Sequence, residues 1–136
     1  MSHYRAYKDL GNDLDQSTQN SYKCEVITTH EQKQRILQNN SIVVIDIYGD
    51  WCQPCQVISP VFEKMAEEYN GKYPGKVYLC KEDVDSGLSP NCTGVPMFVF
   101  SVNGVNVKNI MGGDMAQVKE SLDDFVASMV SQNTTN

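Results

Sequence analysis

The residues of this chain with the clearest chemical potential are two cysteines at a spacing of three, Cys52-Gln53-Pro54-Cys55. They follow the apolar run 42–48 and open a helical pattern. The N-terminus of a helix carries partial positive charge, which favours the thiolate of Cys52 over its thiol. Because only a thiolate attacks another disulfide, the motif predicts a thiol–disulfide exchange site. We expect Cys52 at the exposed helix tip as the attacking nucleophile and Cys55, turned inward, as the resolving thiol.

Half of a zinc site is the alternative interpretation of this pair. Zinc would need a second close pair of cysteines or histidines, yet His3 and His30 lie far away in the sequence. The five cysteines are also an odd number and too irregularly spaced for a disulfide scaffold. The spacing therefore favours one redox pair and no bound metal. Cys24 and Cys80 fall in strand patterns typical of small core residues, which leaves Cys92 as the candidate for an exposed extra thiol.

A single carboxylate, Asp46, interrupts the apolar run before the cysteines. Burial of a carboxylate is costly unless it is paired or protonated, and desolvation raises its pKa. Such a group is suited to proton exchange with Cys55, although a buried aspartate without a chemical role fits the pattern equally well. Taken alone, Lys81 is typical of a solvated lysine and Val95-Pro96 of an extended boundary.

Length, composition and charge limit the classes of function. The 136 residues suffice for one domain, and 40% hydrophobic with 21% charged residues is typical of a soluble globular protein. A net charge of −6 disfavours nucleic acid as a partner, and no apolar run reaches the length of a membrane span. The first ten residues lack the apolar core of a signal peptide, so we expect a reducing compartment, the cytoplasm.

The elements that must position the cysteines follow from periodicity and turn signals. A polar extension, 1–21, and a polar tail, 132–136, flank a predicted folded domain, 22–131. The predicted elements are a strand 23–27, a helix 28–38, a strand 42–48, a helix from the cysteines onward that Pro60 should kink, a strand 76–80, a loop 86–94 with room for a short helix, strands 97–102 and 105–111, and a helix after Asp114. This order predicts a mixed sheet with helices on both faces.

Several separated motifs, in order, resemble those of the thioredoxin family between about residues 23 and 130. They are the run 44–55 with its aspartate, tryptophan and cysteine pair, Pro60, Lys81 followed by Asp83-Val84-Asp85, the stretch 94–97, the turn Asn103-Gly104, and Gly112. The resemblance implies an α/β thioredoxin fold, in which a central mixed five-stranded sheet is flanked by about four helices on both faces.

The resemblance also assigns roles to residues that have no local mark. It implies that Asp46 and Lys81 form a buried pair that assists proton transfer near Cys55. It implies a cis peptide bond at Pro96, with Val95 offering backbone groups to an extended client segment. The remaining client-contacting residues would be Trp51, Gln53 and Pro54, at the cysteine pair, and Gly112. Taken alone, Trp51 fits an anchoring aromatic or a flat apolar rim that grips partners equally well.

The implied function is a protein-disulfide reductase that forms a transient mixed disulfide with oxidised client proteins. It would need no cofactor, because a thioredoxin-reductase-type electron donor recharges the cysteine pair, and it would act as a monomer without nucleic acid or membrane. A disulfide isomerase or oxidant of the same fold and a non-catalytic binding module are the alternatives. The chain departs from the family at Gln53, Gln56, Met97 and the N-terminal extension, which leaves reducing strength and partner choice open.

Overall fold

The computed structural model describes residues 24–134, so the extension predicted at 1–21 lies outside the described range. Strands and helices alternate as far as the third strand, and a hairpin and a helix follow. The elements are β1 (Val26–Ile27), α1 (His30–Asn39), β2 (Ile42–Tyr48), α2 (Gln53–Lys72), β3 (Val77–Asp83), a 3-10 turn (Val84–Ser86), β4 (Met97–Val102), β5 (Val105–Met111) and α3 (Met115–Thr134).

The five strands form one mixed sheet in the order β1-β3-β2-β4-β5. Strands β1, β3 and β2 run parallel, whereas β4 and β5 are antiparallel to their neighbours. The predicted mixed five-stranded sheet is therefore confirmed. Strand β2 is the middle strand of the five. The residues that follow its carboxyl end, where the cysteine pair begins, therefore lie at the centre of the sheet and not beside an outer strand.

Helices cover both faces of this sheet. Val44 of β2 packs in one cluster with Phe62 of α2 and Leu122 of α3, and Val43 packs in a second cluster with Ile36 of α1. Because alternate side chains of β2 enter opposite clusters, all of residues 42–47 are buried. This double coverage explains why the apolar run of β2 does not alternate with polar residues.

Two helices begin at the caps that the sequence predicts. Thr29 Oγ1 accepts a hydrogen bond from the Gln32 backbone N–H at 3.1 Å, and Asp114 Oδ1 accepts one from the Gln117 backbone N–H at 3.1 Å. Each cap satisfies a backbone donor that has no partner within its own helix. Helix α2 continues through Pro60 to Lys72.

The described residues contain three α-helices where about four were predicted. The loop after β3 holds only the 3-10 turn, which Gly87 ends with a left-handed φ of 80°. Strand β3 continues past the predicted end at Cys80 to Asp83, because its charged residues find partners on the helices. Helix α3 reaches Thr134, so residues 132–134 of the predicted tail are helical.

Candidate active site

The cysteine pair lies at the N-terminus of α2, directly beyond the carboxyl end of β2. Cys52 is the N-cap residue of the helix, and its Sγ accepts a hydrogen bond from the Cys55 backbone N–H at 3.1 Å. The two cysteines form a disulfide with 5.3 Å between their Cα atoms. A Cys52 thiolate would be stabilised both by the hydrogen bond from this N–H and by the positive end of the helix dipole.

The expectation that Cys52 is exposed is wrong, whereas Cys55 is buried as predicted. Their exposed fractions are 4% and 3%, so burial does not distinguish the two residues. The reason is the cap geometry, which folds the Cys52 side chain back over the first turn toward the Cys55 N–H. The two sulfurs differ in their place on the helix instead, because Cys52 precedes the first turn and Cys55 lies within it. Between them, Gln53 and Pro54 are exposed.

Trp51, directly before the cysteine pair, is the exposed aromatic residue of the site. The indole is 67% exposed, and its Nε1 donates a hydrogen bond to Asp85 Oδ2 at 2.9 Å. A Cβ on Gly49 would lie 2.8 Å from Trp51 Cε2, so the indole rests on a position where only glycine leaves room. The loop backbone is held as well, because Gln56 Nε2 donates to the Asp50 carbonyl oxygen at 3.1 Å.

Two further segments belong to this part of the molecule, the residues just before β4 and those just after β5. The Val95–Pro96 peptide bond is cis, as predicted, and the Pro96 carbonyl accepts a hydrogen bond from the Gly112 N–H at 2.8 Å. Gly112 has a φ of 100°, which favours glycine. A Cβ on Gly113 would lie 3.3 Å from Ile58 Cγ2 of α2, so this segment lies close against the helix that carries the cysteines.

Asp46 is buried in strand β2, with an exposed fraction of 1%. Its Oδ1 has no hydrogen-bond partner among the described residues. Burial raises the pKa of Asp46 to about 7, the nearby Lys81 cation opposes that rise, and the Glu63 carboxylate adds to it. A carboxyl group with this pKa can take up or release a proton near neutral pH.

Lys81 is the register partner of Asp46, but the predicted ion pair between them does not form within the described residues. Lys81 Nζ lies 3.1 Å from Glu63 Oε2 and donates to Ser59 Oγ at 2.8 Å. The reason is that two polar side chains of α2 face this lysine. The sequence analysis did not identify Ser59 and Glu63 as part of the site. Their signal is the spacing of four from Cys55, which puts all three residues on one stripe of the helix.

The other three cysteines are free thiols. Cys24 and Cys80 are buried, as predicted, and burial raises the pKa of both thiols. Cys92, predicted to be exposed, is half-buried, and its Sγ donates to the Gly94 carbonyl at 3.2 Å. Within residues 24–134 no three His, Cys, Asp or Glu side chains are grouped to hold a metal ion. No helix in the same range has the length and apolar character needed to cross a membrane.

Comparison with known sequences places these features in one family. The thioredoxin family model matches residues 23–128. The thioredoxin of Malassezia sympodialis is 31% identical over 107 residues, which cover 76% of this chain and 99% of that protein. Thioredoxin 1 of Plasmodium falciparum is 26% identical over 107 residues, which cover 76% of this chain and 98% of that protein.

Solved structures give the same result for the fold. The crystal structure of Malassezia sympodialis thioredoxin superposes with a TM-score of 0.66 at 30% identity, over 76% of this chain and 90% of that chain. Oxidised mitochondrial thioredoxin 3 of Saccharomyces cerevisiae superposes with a TM-score of 0.65 at 26% identity, over 79% of this chain and 99% of that chain. The predicted thioredoxin fold is confirmed.

Proposed function

This chain belongs to the thioredoxin family and is a thiol–disulfide oxidoreductase of the protein-disulfide reductase type, and from that premise we propose how its residues divide the reaction. Cys52 attacks the client disulfide, and Cys55 resolves the intermediate. The observation that carries this assignment is the position of Cys52 at the cap of α2, where its sulfur accepts the Cys55 N–H. That sulfur is the one stabilised as an anion before a client arrives.

In the first step the Cys52 thiolate attacks one sulfur of the client disulfide. A bond forms between Cys52 and that sulfur, the client disulfide breaks, and the second client sulfur leaves as a thiolate that takes a proton from solvent. The helix N-terminus lowers the energy of the attacking anion without preventing the attack, because thiolates of moderately lowered pKa remain good nucleophiles.

In the second step Cys55 must lose its proton before it can attack the mixed disulfide. We propose that the Asp46 carboxylate accepts this proton. Its pKa of about 7 means that the protonated and ionised forms of Asp46 are both populated near neutral pH. The Cys55 sulfur then bonds to Cys52 and expels the client sulfur, so the client leaves reduced. The protein is left as the Cys52–Cys55 disulfide, and an external reductase returns it to the dithiol with two electrons and two protons.

Clients are proposed to bind across the surface formed by Trp51, Val95–Pro96 and Gly112, with Gln53 and Pro54 at its border. Support comes from the exposed indole and from the hydrogen bond that joins Gly112 to Pro96. The Val95 backbone, which precedes β4, is suited to pair with an extended client segment. The sulfurs are almost fully covered, so a client must bring its disulfide into close contact with this surface.

The cellular setting is part of the same proposal. We assign the protein to the cytoplasm as a monomer that needs no cofactor and receives electrons from a thioredoxin-reductase-type donor. Relatives carry the names of chloroplastic and mitochondrial thioredoxins, so the fold itself does not select a compartment. Localisation of the full chain with a fluorescent tag at its C-terminus tests the compartment.

Reduction of insulin by dithiothreitol tests the assignment of the cysteines. The wild-type protein should accelerate insulin precipitation, and Cys52→Ser should reduce the rate to background. Cys55→Ser should instead accumulate a mixed disulfide that excess dithiothreitol releases, and Cys92→Ser, the matched control, should keep full activity. Full activity in Cys52→Ser would contradict the proposal. A redox potential of about −180 to −210 mV, the poise of the endoplasmic reticulum, would favour the isomerase alternative.

A further inference from the structure

Three contacts determine where the Lys81 ammonium lies. Nζ donates to Ser59 Oγ at 2.8 Å, lies 3.1 Å from Glu63 Oε2, and stands 5.0 Å from the centre of the Tyr48 ring. Ser59 Oγ in turn donates to Glu63 Oε2 at 3.2 Å, so three polar groups close a triangle between β3 and α2. The ammonium is therefore held toward the helix.

Asp46 stands beside this triangle without joining it. It is the register partner of Lys81 on β3 and of Phe98 on β4, so its side chain faces the same side of the sheet as Lys81. Its Oδ1 is buried and has no hydrogen-bond partner in the described part of the chain. A buried carboxyl group without a bound cation incurs a desolvation penalty when it ionises, and protonation avoids that penalty.

We propose that Glu63, together with Ser59, is a positioning residue that holds the Lys81 ammonium on helix α2 and away from Asp46. The inference rests on the proposed role of Asp46 as the proton acceptor of Cys55. With Lys81 held by Glu63, Asp46 keeps its proton up to nearly neutral pH. If Glu63 loses its charge, Lys81 is free to approach Asp46, and the carboxylate form becomes favoured at lower pH.

The surroundings of Asp46 make this effect measurable. The titratable and charged groups around it are Lys81 from β3, Glu63 from α2, and Cys24 from the segment before β1. Burial raises the pKa of the Cys24 thiol to about 12, so Cys24 stays neutral. In the oxidised protein Cys55 is bonded to Cys52 and does not titrate. A titration of oxidised protein therefore isolates the influence of Lys81 and Glu63.

The experiment is a carboxyl ¹³C NMR titration of Asp46 in the oxidised full-length protein, with the resonance assigned by its loss in Asp46→Asn. Glu63→Gln should lower the midpoint by about one pH unit, the size expected when a cation gains access to a carboxylate. Ser59→Ala should lower it by a smaller amount. Glu67→Gln, which removes an exposed carboxylate one turn along the same helix, should leave it unchanged. An unchanged midpoint in Glu63→Gln would overturn the inference.

A second variant separates position from charge. In a Lys81→Met background there is no ammonium to release, so Glu63→Gln should lose most of its effect on the Asp46 midpoint. A midpoint change that persists in full would mean that Glu63 acts only through its own charge, and the positioning role would be wrong.

The pH profile of insulin reduction distinguishes this inference from the proposed function. In Glu63→Gln the profile should move toward acid by the same amount as the midpoint. If the midpoint moves, loses that change in the Lys81→Met background, and the profile does not move, Glu63 does hold Lys81, but Asp46 is not the proton acceptor. If the wild-type protein does not reduce insulin, the proposed function fails while the titration still decides the role of Glu63.

Discussion

Asp46 and Lys81 occupy the same register position of the parallel strands β2 and β3, yet the lysine is ion-paired with Glu63 and not with its strand neighbour. Among the described residues, Asp46 is therefore the buried acid of this sheet that forms no ion pair. The consequence reaches beyond catalysis, because a group that is costly to ionise in the folded protein makes stability depend on pH.

The first prediction concerns that pH dependence. The pKa of Asp46 rises from an ordinary 3.8 to about 7 on folding. Below pH 4 the folded and unfolded chains are both protonated and the group has no effect on stability. Between about pH 4 and pH 7 the unfolded chain loses the proton while the folded chain keeps it, so stability falls as pH rises. The loss should amount to a few kcal/mol, since each tenfold change in proton affinity corresponds to about 1.4 kcal/mol.

Asp46→Asn tests this prediction by urea unfolding of the oxidised protein. The variant should match the wild type at pH 4 and be more stable at pH 8, because the amide resembles the protonated acid. Asp50→Asn, on the exposed loop nearby, is the control and should not change the pH dependence. A stability difference between Asp46→Asn and the wild type that is the same at both pH values would contradict the prediction.

The second prediction concerns Glu82, which is fully buried on the opposite face of the sheet. Its Oε1 lies 2.8 Å from Lys33 Nζ of α1, and the same ammonium donates to Ser89 Oγ at 3.1 Å. Lys33→Met would leave a buried charge without its partner, so the free energy of unfolding should fall by about 3–5 kcal/mol. Urea unfolding at pH 7 measures the loss.

Two further variants give that experiment its controls. Lys33→Met combined with Glu82→Gln should recover a large part of the stability, because the second change removes the uncompensated charge. Lys64→Met, at an exposed site of α2, should have little effect. If Lys33→Met proves as stable as the wild type, the ion pair does not contribute to the fold in the way its burial implies.

The sequence predicts the strands that local signals define. The bounds of β2, β4 and β5 agree with their apolar runs, and the predicted hairpin turn has positive φ at both Asn103 and Gly104, 51° and 82°. These features depend on side chains within a few residues, or on a turn whose backbone conformation selects Asn-Gly.

The charged end of β3 could not be predicted in the same way. Lys81 and Glu82 are buried because Glu63, 18 residues away, and Lys33, 49 residues away, reach them across the sheet and helix interfaces. No periodic pattern in the sequence connects residues so far apart, so neither contact could be predicted from it. The burial of Cys52 was missed for a related reason, since it depends on how the cap folds the side chain over the helix.

The third prediction concerns the hydrogen bond between Trp51 Nε1 and Asp85 Oδ2, 2.9 Å long at the edge of the client surface. Asp85→Ala should free the indole and raise the KM for insulin about fivefold with little change in kcat, because a bond of about 1 kcal/mol no longer orders the binding surface. Trp51 is the only tryptophan of the chain, so acrylamide quenching of its fluorescence should report the added motion directly.

Asp124→Ala, on the exposed side of α3, is the control and should alter neither the KM for insulin nor the quenching of Trp51. An unchanged KM in Asp85→Ala would contradict the prediction.

The last prediction concerns Gln56, which stands one residue after the cysteine pair at a position where the chain departs from the family motif. Its amide donates to the Asp50 carbonyl, and its own backbone N–H donates to the Cys52 carbonyl at 3.2 Å, so a charge placed here acts close to the nucleophile. Gln56→Lys should favour the Cys52 thiolate in the reduced protein and move its alkylation profile toward lower pH at low salt, and Gln56→Glu should move the profile toward higher pH. The pH dependence of iodoacetamide alkylation, followed on the Cys52 peptide by mass spectrometry, measures both changes.

Because Gln56 is exposed, salt at about 0.5 M should suppress both changes. Gln38→Lys, at the opposite end of the sheet, should produce no change. Equal alkylation profiles in all three variants would contradict the prediction.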